Sequence, residues 1–103
     1  MAEAPEDLPI IDCHHHFWQL KREFRYPWLQ DEKPVAFRYG DYSVIRTDYM
    51  PADYRRDAGK NRAVKTVHEE AWSDPNDPVA ETRFIDEVAS KHDLPNALVG
   101  AAW

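Results

Sequence analysis

Hydrophobic and polar positions change rhythm several times along the chain. Leu8, Ile10, Ile11 and Cys13 form a short apolar run that stops abruptly at His14-His15-His16 and resumes with Phe17-Trp18. This run predicts a buried strand over about residues 9 to 16, with Ile10, Ile11 and Cys13 inside. From 63 to 72 the pattern alternates, with Val64, Thr66, His68 and Glu70 on one face and Lys65, Val67 and Glu69 on the other, and predicts a second strand. Ala80, Phe84, Ile85, Val88 and Ala89 then recur at helical spacing, while Glu81, Asp86, Glu87, Ser90 and Lys91 fall mostly on the other side and read as a solvated face. Asp77 is placed to cap this helix and Pro78 to open it. Asp93-Leu94-Pro95 ends it, and 97 to 103 reads as a third buried strand. A strand, a helix and a strand in that order imply a right-handed crossover and a parallel sheet, the α/β class.

Between the first two strands lies a long connection, residues 17 to 62, where 2 to 6 residues would ordinarily do. Trp18, Tyr26, Trp28, Phe37, Tyr39, Tyr42 and Tyr49 are interleaved there with Arg25, Lys33, Arg38 and Arg46. The aromatics can build a small core of the loop's own or wall a substrate pocket, and Trp18 and Trp28 stand as candidate substrate contacts. Met50 to Gly59 reads as a short helix, with Pro51 in its first turn and Gly59 past its end.

Charge and composition narrow the functions. The 103 residues carry a formal net charge of −6, and the basic residues are scattered, so nucleic acid is not the expected partner. One cysteine cannot form an internal disulfide, and residues 1 to 7 are an acidic arm unlike a signal peptide; a cytoplasmic protein is expected. No run approaches the roughly 20 apolar residues of a membrane span. Gly-rich phosphate loops, paired-cysteine metal motifs and nucleophile elbows are absent from the sequence.

The histidines are the strongest chemical signal. On a strand His14 and His16 share a face, with backbones roughly 6.6 Å apart, so their imidazoles can meet one ion. Asp12 falls on that face as a supporting group, and His15 points the other way. Zinc is the default ion for imidazole ligands, with manganese an alternative, and a catalytic zinc usually takes three protein ligands plus water. If the second strand ends at the same rim, Glu70 or His68 can look into a pocket for a small-molecule substrate.

Asp12-x-His14-x-His16-Phe17-Trp18 resembles the opening of the amidohydrolase superfamily, specifically its amidohydrolase-related, lactonase-like branch of (β/α)8 barrels. Tyr26-Pro27-Trp28-Leu29, Asp48 to Arg55, Thr66 to Ala71 and Asp77 to Thr82 are similar to that branch and follow its order. The resemblance implies a metal-assisted hydrolase opening a lactone or similar cyclic ester or amide with activated water. It also implies further ligands and a general base on later strands. Some lactonases of the branch work without a tightly held metal; His14 and His16 would then hydrogen-bond substrate or carboxylates. A whole barrel needs about 250 residues, so the chain is expected to be about three βα units, the N-terminal portion of a TIM barrel. Such a portion leaves apolar strand edges open. The competing expectation is therefore a non-catalytic chain that persists by self-association, with homo-oligomers possible in either case.

Overall fold

A computed structural model describes residues 7–20, 23–31 and 40–102. The acidic arm apart from Asp7, together with Lys33, Phe37, Arg38, Tyr39 and Trp103, lies outside the described residues. The elements are β1 (Pro9–His15), α1 (Pro27–Gln30), a 3-10 turn (Ser43–Ile45), α2 (Pro51–Ala58), β2 (Arg62–Glu69), α3 (Pro78–His92) and β3 (Ala97–Val99). Both strand pairs are parallel and the order is β1-β2-β3, the α/β arrangement that the alternating rhythms predict.

Burial on the sheet is one-sided. Thr66 and His68 of β2 are buried, and the stripe of α3 made by Glu81, Phe84, Ile85 and Val88 is buried with them. Those helix positions follow the i, i+3, i+4, i+7 rule. Each fully buried apolar side chain among them contributes on the order of 2 kcal/mol by transfer from water. Phe17, Trp18, Phe24, Tyr26, Leu29, Ala71 and Leu94 complete the core, and Phe24 sits 5.9 Å from Phe84, so Trp18, Phe24 and Tyr26 of the connection share one core with α3.

Three expectations about burial and capping are corrected. β1 is not buried: Ile10, Ile11 and Cys13 are all exposed, Ile11 to 60%, and among the described residues β1 is an edge strand paired with β2 alone. β3 is the other edge; it ends at Val99 instead of running to 103, and Val99 is 49% exposed. Asp77 does occupy the residue before α3, but its side chain makes no capping hydrogen bond.

The described parts of the long connection are tied together by hydrogen bonds. Trp18 and Tyr49 exchange backbone hydrogen bonds of 3.0 and 2.9 Å, and Asp48 Oδ1 accepts from the Leu20 amide at 2.8 Å, which closes the neck of the loop. Arg46 donates to the carbonyls of Leu29 and Asp31, tying the 3-10 turn to α1. α2 is held to β1 by the Tyr54 hydroxyl, which donates to Asp12 Oδ2 at 2.7 Å. At its start the Asp53 carboxylate accepts from the Met50 amide, and at its end Gly59 adopts φ +59°, where a side chain would be strained.

Candidate functional site

The C-terminal ends of β1 and β2 lie side by side, with His15 in register with His68. Paired residues of parallel strands share a face, and their rings lie 6.0 Å apart. Strict alternation would put His14 and His16 on the other face, but β1 is irregular between Asp12 and His15, and the His16 ring also lies 6.2 Å from His68 while its Nδ1 meets the Glu69 carbonyl. The His14 and His16 ring centres are 5.2 Å apart with planes at 84°. Two imidazoles on one tetrahedral zinc, each with nitrogen about 2.1 Å from the ion, have ring centres roughly 5 Å apart. The pair therefore fits a shared cation.

His16 carries a further mark of such a role. Its Nδ1 lies 2.9 Å from the Glu69 carbonyl oxygen, and since a carbonyl only accepts, Nδ1 bears the proton. In the neutral ring this leaves the lone pair on Nε2, the arrangement that metal-ligating histidines use. No cluster of three or more His, Cys, Asp or Glu side chains able to hold a metal occurs among the described residues.

Asp12 is placed differently from the expectation that it would support this pair. β1 is irregular between Asp12 and His15, and the Asp12 carboxylate accepts from the Tyr54 hydroxyl and the His14 backbone amide, not from either ring. Burial pushes its carboxyl up, but those two hydrogen bonds, together with the charges of His15 and His14, hold it below the usual range. Tyr54 responds in the opposite sense, its hydroxyl raised by burial and by the bond to Asp12.

His15 faces the core against Phe17 and Tyr54, at ring distances of 4.4 and 5.1 Å. Neither ring nitrogen has a hydrogen-bond partner among the described residues. Burial, and after it the neighbouring His68, lower the imidazole from 6.5 to about 4. Between those values the unfolded chain binds a proton that the folded chain does not. Stability from this group is therefore complete above pH 6.5 and is lost as pH falls through about 4. The expected loss is on the order of 2 kcal/mol, less than the whole shift because small openings rehydrate the ring. His15→Phe should flatten the change in urea midpoint between pH 7 and pH 4; an unchanged slope would assign the effect elsewhere.

A cavity of about 470 Å³ opens beside His16. Trp18, Trp28, Tyr42 and Trp72 wall it, and Glu70 supplies a carboxylate. His68 lies outside this lining: it is 1% exposed, and its Nδ1 accepts from the Phe17 amide at 3.1 Å, so its proton sits on Nε2. That nitrogen is 3.7 Å from Oε2 of Glu81.

Glu81 is the residue that sequence reasoning misplaced. Expected on the solvated face of α3, it is 2% exposed, and both its oxygens accept from the Ala71 amide, at 3.2 and 3.1 Å. Ala71 stands between Glu70 and Trp72, so Glu81 fixes the segment that carries two walls of the cavity. The missed signal was its spacing: Glu81 lies three and four residues before Phe84 and Ile85, on the apolar stripe itself.

Among the described residues no helix is long and apolar enough to cross a membrane. No family model matches the chain. No solved structure matches it significantly. A protein of Sinorhizobium fredii bearing the name "Uncharacterized protein y4mH" is 43% identical over 97 residues, which cover 93% of this chain and 32% of that protein. The chain spans about a third of the length of the curated relative it matches.

Proposed function

We propose that this chain forms the opening βα units of a TIM-barrel hydrolase of the amidohydrolase-related, lactonase-like kind, acting in the cytoplasm on a cyclic ester or amide of a small substrate. The observation that carries the reading is the His14 and His16 pair, 5.2 Å apart at the strand rim, with His16 Nδ1 held by the Glu69 carbonyl next to a cavity. The pair would hold a divalent cation, zinc first and manganese second. When bound, the cation supplies a Lewis acid beside the substrate carbonyl and a source of hydroxide near neutral pH. His16 keeps its Nε2 aimed by donating through Nδ1. Trp18 and Trp28 exclude water from one side of the substrate, and Glu70 orients its polar groups. Remaining ligands and the general base belong, in this reading, to later strands of the barrel.

The exposed Ile11 and Val99 edges favour a second reading, a non-catalytic chain that covers them by self-association. One experiment separates the two. The 103-residue chain is assayed for lactone hydrolysis with zinc, both alone and substituted for the matched stretch of the Sinorhizobium relative, alongside sedimentation at several concentrations. Zinc-dependent turnover by the chimera that is lost with His14→Ala supports the hydrolase. A folded chimera with no turnover, together with concentration-dependent assembly of the chain, supports the module.

A further inference from the structure

We infer that the cavity beside His16 is a cage for a small organic cation with an alkylated ammonium group; this deepens the proposed function by making that group part of the substrate. The walls are aromatic and differently oriented. Trp18 and Trp28 lie 5.6 Å apart with planes at 84°, and Trp28 and Tyr42 lie 5.6 Å apart at 47°. Rings standing at such angles around one space are how proteins bind quaternary ammonium, whose charge is attracted to the electron-rich faces.

The polar tips of these side chains are already committed elsewhere. Trp18 Nε1 donates to the Thr47 carbonyl at 2.6 Å, Trp28 Nε1 to the Ala71 carbonyl at 2.9 Å, and the Tyr42 hydroxyl to the Trp28 carbonyl at 2.8 Å. A sugar or other neutral polar ligand would find its hydroxyls facing ring surfaces with few donors. An alkylated cation needs only those surfaces and a counter-charge.

Glu70 provides the counter-charge. One of its oxygens accepts from the Trp72 amide at 2.8 Å, and the other has no hydrogen bond among the described residues. A neutral apolar ligand would strip water from this carboxylate without compensation, and an anion would meet it directly. Trp72 itself sits at φ +55°, the left-handed region that a bulky side chain rarely adopts. Strain of this kind collects at ligand sites, and here the Glu70 bond to its amide holds the indole at the cavity. The net charge of −6 favours approach of a cation.

Choline and its uncharged carbon isostere, 3,3-dimethylbutan-1-ol, are titrated into the 103-residue chain in EDTA while tryptophan fluorescence is followed. Saturable quenching by choline, about tenfold tighter than by the alcohol, is expected, with Glu70→Gln erasing most of that preference and Trp72→Ala weakening choline about fivefold. Glu70→Gln keeps the side-chain volume, and the far-UV spectrum reports whether each variant is folded. Equal affinity for the two ligands, no saturable quenching by choline, or a folded Glu70→Gln chain that retains the preference overturns the cage. Because neither metal nor turnover enters the measurement, its failure is separate from failure of the hydrolase reading.

Discussion

Glu81→Ala is expected to lower the free energy of unfolding by about 3 kcal/mol, read from urea denaturation at neutral pH. Two losses add. The Ala71 amide, now buried without an acceptor, costs roughly 1–3 kcal/mol, and the space left by a buried side chain on the α3 stripe adds a packing loss of similar size. His68 Nε2–H also loses the carboxylate it faces at 3.7 Å. A set of substitutions separates these contributions. Glu81→Gln keeps an acceptor for Ala71 and should lose only about 1 kcal/mol, whereas Glu81→Met keeps volume but no oxygen acceptor and should lose about 2 kcal/mol. Near-UV dichroism should change with Ala and Met, because the segment released carries Trp72. If Ala behaves like Gln, to within about 0.5 kcal/mol, the carboxylate is not what holds this segment.

The same residue shows what could be read from the sequence and what could not. Periodicity located β2 and α3, since the repeats of 2.0 and 3.6 that bury one face are written directly in the residue order, although β2 ends at Glu69 and not at 72; Pro51 and Gly59 marked α2. Glu81 was misjudged because residue type was allowed to outweigh position: a carboxylate was assigned to solvent although its spacing put it on the stripe. β1 failed for the opposite reason. Ile10, Ile11 and Cys13 are apolar enough for a buried strand, but burial depends on what covers the strand's faces, which the residue types of the strand itself do not say.

Within the site, the approach of the His14 and His16 rings to 5.2 Å agrees with their expected convergence. The partner of Asp12 does not follow from the sequence, because the irregularity between Asp12 and His15 breaks the alternation on which the expectation rested. The cavity was partly legible. Trp18, Trp28 and Tyr42 stood among the insertion aromatics that could wall a pocket and Glu70 at the strand end, whereas Trp72 reaches it through a left-handed backbone that no local pattern announces.

Zinc affinity should divide the three consecutive histidines cleanly. His14→Ala and His16→Ala are each expected to weaken zinc binding by about 100-fold, whereas His15→Phe and Asp12→Asn should each change it less than about threefold. The contrast follows from the placement of each side chain. His14 and His16 present edge-to-face rings 5.2 Å apart, and losing either leaves a single imidazole, which holds zinc no better than a surface histidine. His15 is buried against Phe17 and Tyr54, and the carboxylate of Asp12 bonds to Tyr54 and a backbone amide, so both are engaged away from the pair. Competition against a chelating dye measures the affinities, and cobalt substitution adds an absorption spectrum that reports nitrogen ligation independently. The affinity should also fall as the solution is acidified, since each imidazole must be neutral to bind. A loss with His15→Phe as large as that with His16→Ala would mean that the chain binds zinc through unspecific histidine density, and the converging pair would then have no special standing.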